Sequence, residues 1–305
     1  MKYIKLSVCI ATYRRPDRLD AVLEDLLRQE LKPDEVVVVD NDVSGSARIV
    51  IERRRAEDCP FPLVYEIQPQ RNISETRNRT VALAQGEWLA FIDDDERAPP
   101  FWLRKLLEAA ETFGSDGVLA PVEPKIPDSA PAWIRRGRFY DWPHLATGTG
   151  VPAKMLRFGN VLLRGARLRT EPGPFDPAFG LATGEDQEML MRLVAQGAKI
   201  CWCDEALVVE PIEPKRLSLR WLLQRALSGG QHFARLSLQG RHHSVNFLTR
   251  GMLLARWTGQ LFVALLLAVA FLPAGRHRSA EWLVKAAANL GKLTAIWGWR
   301  YGEYA

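Results

Sequence analysis

A doubly wound, mainly parallel α/β sheet is the fold class that this sequence predicts. Three observations carry it. Short apolar runs alternate with stretches of helical spacing through the first half of the chain. Residues 35–40 (EVVVVD) form a continuous β-branched run, the pattern of a strand covered on both faces. Several apolar runs end in polar or acidic residues, and in such sheets ligands bind at the carboxyl ends of the strands.

In chain order, residues 4–11 (IKLSVCIA) read as a strand. Residues 16–28 follow as a helix, with Leu19, Val22, Leu23, Leu26 and Leu27 at helical spacing. Residues 35–40 and 62–67 are the next strands, and residues 74–84 a helix. Residues 87–92 (EWLAFI) are a strand, 100–113 a helix and 117–122 another strand. The segment 123–158 is rich in Pro, Gly, Trp and Arg, and reads as an irregular, mobile loop over a site. Regular structure returns at 159–163. A helix spans 185–196, and strands follow at 199–202 and 207–209. Residues 218–238 read as a long helix interrupted at Gly229-Gly230.

The 305 residues are 47% hydrophobic and 25% charged, ordinary for a globular protein. This composition excludes a disordered tail protein, a collagen-like fibre and a multi-span membrane protein. The net charge of +5 is unevenly spread: residues 211–305 hold 13 Lys+Arg and 3 Asp+Glu, and five of the ten Trp. A basic, Trp-rich end on an acidic body predicts an anionic surface as partner. Residues 261–274 (LFVALLLAVAFLPA) carry no polar side chain. Extended back to Trp257, this run approaches the ~20 residues of a membrane span. Residues 279–299 follow as a helix with Trp282, Leu283, Ala286, Leu290, Leu293 and Trp297 on one side. A buried core helix, a single span and a re-entrant or interfacial hairpin are all open. Basic flanks at Arg256 and Arg276 favour the hairpin on an anionic membrane surface. Nucleic acid is disfavoured, because these arginines lie among apolar residues and not on a polar stripe. The four Cys read as reduced structural thiols in a cytosolic compartment, since the start MKYIKLSVCIATYRR has no long apolar run.

Three strand ends deliver the chemistry: Thr12-Tyr13-Arg14-Arg15, Asp40-Asn41-Asp42 and Asp93-Asp94-Asp95. Neighbouring carboxylates repel by about 1 kcal/mol or more per close pair. Such a cluster needs a cation, and oxygen ligands in this number suit Mg²⁺ or Mn²⁺ shared with substrate phosphates. Residues 184–188 (GEDQE) open a helix, whose dipole favours carboxylates. They serve as an ordinary cap or supply a general base. Arg71, Arg77 and Arg79 stand at the helix start after the third strand, where an arginine suits a diphosphate. Arg79 reads better as solvated surface. Neither a P-loop nor a G-x-G-x-x-G run is present, which disfavours an ATPase or a nicotinamide enzyme.

The ordered runs SVCIATYRRPDRL, VVVVDN, ISETRN, ALAQGEWLAFIDDDE and GEDQEMLMRL together resemble the family 2 glycosyltransferases, over roughly residues 5–225. The resemblance implies a GT-A fold in residues 1–215, with 216–305 a helical, membrane-associating extension containing the apolar segment 257–275. It implies an inverting, metal-dependent transfer of one sugar from a nucleotide-diphosphate-sugar to a glycan or lipid-linked acceptor. The setting would be surface polysaccharide assembly at the cytoplasmic face of the inner membrane. Thr12 and Asp40 match positions that contact the nucleotide, and Arg77 a donor-binding arginine. Asp93 and Asp95 match the Asp-x-Asp metal motif, with Asp94 between them on the substrate side. Asp186 matches the catalytic base, with Glu185 beside it, and Gly159 and Asn160 match a stretch lining the site near the sugar.

Two departures stand out. Many relatives carry a His shortly after the last core strand, where this chain has Val209-Glu210-Pro211-Ile212. Processive synthases carry Gln-x-x-Arg-Trp, where this chain has Arg220-Trp221 without the Gln. The second departure favours one sugar per binding event. A nucleotidyltransferase is the competing enzyme class, disfavoured because the loop after the first strand has no Gly. A catalytically degenerate, membrane-bound nucleotide-binding scaffold is the non-enzymatic alternative.

Overall fold

Four consecutive valines leave a strand no polar face, and Val36–Val39 are all fully buried. The computed structural model describes residues 6–169, 173–180, 184–238 and 247–297. Strands β1 (Leu6–Thr12), β2 (Glu35–Asp40), β3 (Leu63–Ile67), β4 (Trp88–Phe91), β5 (Gly117–Leu119), β7 (Val161–Arg164) and β8 (Ile200–Trp202) form one sheet in the order β3-β2-β1-β4-β7-β5-β8. The short β6 (Val122–Lys125) pairs separately with β9 (Val208–Pro211). Pro121 has no N–H to donate and stands where the run 117–122 gives way to β6.

Side chains alternate across the sheet. Val8, Ile10, Val36, Val38, Trp88 and Ala90 face one core. That core is covered by α1 (Pro16–Leu27), α2 (Arg48–Ala56) and α4 (Trp102–Thr112). Cys9, Val37, Val39, Leu89 and Phe91 face the other. There α3 (Ile73–Leu83), α6 (Gly165–Leu168) and α7 (Glu185–Ala195) supply Val81, Leu168, Met189, Leu190 and Leu193. The expected parallel sheet is present with one exception. β7 runs antiparallel between β4 and β5, with Phe91 opposite Val161. This sense brings Gly159 and Asn160, just before β7, beside the end of β4. The helix α2 had no sequence signal, because Ile49, Val50 and Ile51 are consecutive and trace no helical stripe.

The chain divides into two units. One comprises Met1–Pro124, Trp142–Gly180 and Glu185–Pro211, and the other Lys125–Asp141, Leu181–Gly184 and Ile212–Ala305. A single cut at 215 misses that Lys125–Asp141 joins the second unit. The reason is packing: Ile134, Tyr140, Ile212 and Leu222 form their own apolar cluster, and the Tyr140 hydroxyl donates to the Arg216 carbonyl at 2.7 Å. Ile134 lies on α5 (Ala132–Arg136), so the segment read as irregular contains a helix.

In the second unit, α8 (Leu219–Leu238) runs unbroken through Gly229-Gly230. The glycine serves a helix crossing and not an interruption. A Cβ on Gly230 would lie 2.0 Å from the Ala288 carbonyl oxygen, and one on Gly291 2.0 Å from that of Leu227. Both partners sit on α8 and α10 (Arg276–Thr294). Between them in sequence, α9 (Phe247–Ala270) begins ahead of the expected apolar segment and ends before Pro273. Trp257, Ala264 and Ala268 are buried, while Phe262, Val263, Leu266 and Val269 are exposed. A buried core helix is therefore the wrong reading of this segment. Residues 298 and 299 and the side chain of Trp297 lie outside the described residues.

Gly291→Val should force α8 and α10 apart at their closest approach, whereas Gly229→Ala meets open space. The expected result is protease sensitivity of the second unit in the first variant and none in the second, read by limited proteolysis. Equal resistance of the two variants would mean the crossing is looser than described.

Candidate active site

The sheet register gathers the site. Thr12 pairs with Asp40 across β1 and β2, and Phe91 sits one residue before Ile92-Asp93 at the end of β4. The order reverses between β1 and β4, which opens the crevice that α/β sheets use for ligands. Thr12 Oγ1 donates to Asp94 Oδ2 at 2.8 Å. Arg15 donates to Asp94 at 3.0 Å and to Asp95 at 3.2 Å, and Arg18 reaches Asp95 at 3.3 Å. Asp94 is buried, and that burial pushes its carboxyl up to about 6 against the opposing charge of Arg15.

Arg77 bridges two acidic segments. Its guanidinium donates to Glu185 at 2.6 Å and to Asp93 at 3.3 Å. The group lies over the rings of Phe158 and Phe175, 4.8 and 5.9 Å from their centroids. It reaches them from α3, whose N-cap Asn72 accepts the Glu75 N–H at 3.1 Å. Burial raises the Glu185 carboxyl to about 7, with Arg77 opposing. Asp186 is half-buried, and its two oxygens accept the N–H groups of Phe158 at 3.1 Å and Gln187 at 2.8 Å. Those bonds fix the carboxylate and leave lone pairs on both oxygens. Hydrogen bonds thus join Thr12, Asp94 and Asp95 through Arg15, and Asp93 and Glu185 through Arg77, with Asp186 next to Glu185 in the chain.

Two expected contacts take a different role. Asp40 is fully buried, and its carboxylate accepts the N–H of Asp42 at 3.0 Å, the N–H of Ala47 at 2.8 Å and the Tyr65 hydroxyl at 3.1 Å. It anchors the turn after β2 and the start of α2. Asn160 is also buried. Its carbonyl oxygen accepts from Trp102 Nε1 at 2.8 Å, and its amide donates to the carbonyls of Pro121 and Ala206 at 2.9 and 2.7 Å. No amide hydrogen is left for a substrate, so Asn160 is a structural tie.

Other residues at the site had weaker signals in the sequence. The Tyr13 ring is approached by the guanidinium groups of Arg14 and Arg71, at 5.1 and 5.0 Å from its centroid. Arg14 adopts φ +54°, a strained conformation for a non-glycine residue. Glu96 is buried and accepts the Asp93 N–H at 3.2 Å. A Cβ on Gly159, at φ +113°, would lie 2.5 Å from Glu96 Oε1. Arg157 faces Glu96, Glu210 and Asp186. Only its placement after a long loop makes it visible, and no motif does.

Among the described residues, no group of three or more His, Cys, Asp or Glu side chains is placed to hold a metal ion. The donor set still fits Mg²⁺ or Mn²⁺ arriving with a diphosphate. Such ions commonly take one or two carboxylates and complete their shell with phosphate oxygens and water. Asp93 and Asp95 offer those carboxylates.

The model of the family described as "Glycosyl transferase family 2" matches residues 7–164. The succinoglycan biosynthesis protein ExoM of Rhizobium meliloti (strain 1021) is 35% identical over 246 residues, which cover 79% of this chain and 77% of the relative. The galactofuranosyltransferase GlfT1 of Mycobacterium tuberculosis is 29% identical over 218 residues, 66% of this chain and 68% of the relative. Among solved structures, the mannosyltransferase PcManGT from Pyrobaculum calidifontis, in complex with GDP-Man and Mn²⁺, superposes with a TM-score of 0.66. It is 17% identical, covering 97% of this chain and 88% of that one. S. aureus TarS 1-349 gives 0.54 at 16% identity, covering 98% and 93%. These structural likenesses establish the GT-A fold.

Asn160→Ala should leave Trp102 Nε1 and two buried carbonyls without partners, at about 1–3 kcal/mol for each unpaired group. A loss of roughly 3 kcal/mol corresponds to a fall in Tm of about 6–12 °C. Calorimetry of the variant measures it, and an unchanged Tm would return Asn160 to the list of substrate contacts.

Proposed function

The chain belongs to glycosyl transferase family 2, and from that premise we propose that it transfers one sugar, with inversion, from a nucleotide-diphosphate-sugar to a hydroxyl acceptor. The acceptor is a glycan or a lipid-linked glycan in surface polysaccharide assembly. The observation that carries this reading is the Arg77 bridge, which joins Asp93, just after β4, to Glu185, the neighbour of Asp186 at the start of α7. In this reading a leaving-group side, at Asp93, and a base side, at Glu185-Asp186, lie on either side of one guanidinium. By their names, ExoM takes part in succinoglycan biosynthesis and GlfT1 is a galactofuranosyltransferase, which supports the reading.

In this reading Asp186 accepts the proton of the acceptor hydroxyl. The hydroxyl oxygen bonds to the anomeric carbon as the bond to the diphosphate breaks, and the nucleoside diphosphate leaves with the electron pair. The two N–H bonds to Asp186 hold its carboxylate in place for this step. Arg77 keeps Glu185 and Asp93 from repelling one another and adds positive charge where the leaving group develops. Thr12 holds Asp94, and Arg15 and Arg18 hold Asp95, so the loop after β4 is shaped before substrate arrives. Asp93 and Asp95 would hold Mg²⁺ or Mn²⁺, which when bound neutralises the diphosphate.

The second unit supports a membrane location. The helix Arg250–Ala270 is long and apolar enough to cross a membrane, with mean hydropathy 1.7. α10 packs along it, the Ser279 hydroxyl donating to the Ala268 carbonyl at 2.8 Å and Phe271 stacking on Trp282. α10 also carries Glu281, Lys285 and Lys292. Each such charge at a bilayer centre costs about 2.5–3.5 kcal/mol. A pair with one apolar and one charged helix therefore suits the membrane interface better than a span. Arg250, Arg256, Arg276 and Arg278 would meet anionic lipid on the cytoplasmic face.

Titration of UDP-, GDP- and dTDP-sugars with and without Mn²⁺ tests the transferase reading by the shift in Tm. One nucleotide class should stabilise the chain in a metal-dependent way, and Asp95→Ala should abolish the shift. Asp186→Asn should keep donor affinity and lose turnover by at least 100-fold. A folded chain that shifts with no donor would overturn the transferase reading, and a donor shift without turnover in the unmutated chain would favour the scaffold alternative. For the membrane reading, flotation with phosphatidylglycerol vesicles should capture the chain, and Leu265→Glu with Leu266→Glu should release it. Equal flotation of this variant would refute α9 as the anchor.

A further inference from the structure

Arg157 contains the buried guanidinium that the proposed chemistry leaves unused. Its Nη2 is buried and has no hydrogen-bond partner. The group lies under the indole of Trp142, 4.1 Å from the ring centroid. Its electrostatic neighbours are Glu96, Glu210 and Asp186, and burial lowers its pKa to about 10. Leaving a buried charged donor unpaired is costly, and few are retained without a ligand or water to complete them. Trp142 itself is 49% exposed, an unusual position for an indole.

The segment that carries both residues is tied to the sheet. The Gly148 N–H donates to the Trp202 carbonyl at 2.8 Å, the Trp202 N–H to Thr149 at 2.9 Å, and the Val151 N–H to Ile200 at 3.1 Å. His144 Nδ1 pairs with Asp204 at 2.7 Å. Residues 144–151 are therefore anchored along β8 and do not form the free loop expected from composition. Arg157 directly precedes Phe158, whose N–H holds Asp186. The open donor and the half-exposed indole consequently adjoin the proposed base.

We propose that Trp142 and Arg157 form the acceptor subsite, and that it takes a neutral, hydroxyl-bearing sugar in preference to one bearing a carboxylate. This rests on Asp186 being the base. The indole offers an apolar face to the C–H face of a sugar ring, and a sugar oxygen accepts from Nη2 as the ring displaces part of the indole cover. Charge selects the neutral sugar: Glu210 and Asp186 act on one guanidinium, beside a Glu96 whose carboxyl burial raises well above its ordinary value, so an added anion meets net repulsion. Lysine cannot replace the arginine, because it lacks the planar fork that stacks under an indole.

Saturation-transfer NMR on the full chain tests the subsite with methyl glucoside, methyl galactoside, methyl mannoside and methyl glucuronide as probes. At least one neutral glycoside should bind. Arg157→Lys and Trp142→Ala should each weaken it about five-fold or more, the loss of roughly one hydrogen bond or stacking contact. Methyl glucuronide should bind at least about five-fold more weakly than methyl glucoside. Both variants should keep the Tm shift given by the nucleotide-sugar. Unchanged glycoside binding in the variants, glucuronide binding equal to or tighter than glucoside, or no binding by any neutral glycoside would each overturn the subsite. Loss of the donor shift in a folded variant would also overturn it, by placing Arg157 on the donor side. A wild-type chain with no donor shift defeats the transferase reading separately, and the glycoside comparison still decides whether a sugar site exists.

Discussion

Carboxylates cannot be crowded at one sheet edge unless cations are brought to them. Here Asp93, Asp94 and Asp95 follow β4, and Glu185 and Asp186 open α7. The burial that raises Asp94 and Glu185 shows how poorly the folded chain tolerates these charges unaided. The cations come from elsewhere in sequence: Arg15 and Arg18 from around the start of α1, Arg77 from α3, and Arg157 from the loop before β7. Each arginine therefore couples a helix or loop to the carboxylate edge. Removing one partner of a buried pair leaves an uncompensated charge, which is far worse than never having had the pair.

The frame was legible because its signals are local. The run of valines in β2, the helical spacing of Leu19, Val22, Leu23 and Leu26, and the acidic residues after β4 each speak without reference to distant residues. The roles of Asp40 and Asn160 were not legible for the opposite reason. A polar residue at a strand end looks alike whether it faces a ligand or a buried N–H. Only the fold reveals that Ala47 and Tyr65 claim Asp40, and that Trp102 claims Asn160 from 58 residues away. The Gly229-Gly230 pair misled in a similar way. Glycine weakens an isolated helix, yet tertiary contact overrides propensity where two helices must touch backbone to backbone.

The segment before β7 illustrates how composition and pairing diverge. Pro, Gly and Trp signal irregular backbone, and residues 142–158 indeed form no long element. Irregular is not mobile, however. Backbone groups that lack a helix of their own are satisfied by the edge of β8, through Gly148, Thr149 and Val151. An edge strand that would otherwise present unpaired N–H and C=O groups is covered by the same stroke. The functional consequence is precision. Arg157 and Trp142 are carried by chain that is pinned on one side by β8 and on the other by the Phe158 bond to Asp186.

The same reasoning applies to Glu210 on β9. Its charge acts on the Arg157 guanidinium together with that of Asp186 and with the buried Glu96. Without that cation, Glu210 would push an already anionic cleft further from neutrality, at about 1 kcal/mol or more per close like-charge pair. Glu210 and Arg157 thus offset one another. Removing the negative charge, as in Glu210→Gln, would leave the guanidinium freer to accept an anion, so under the proposed subsite the residue at 210 bears on which sugars the cleft admits.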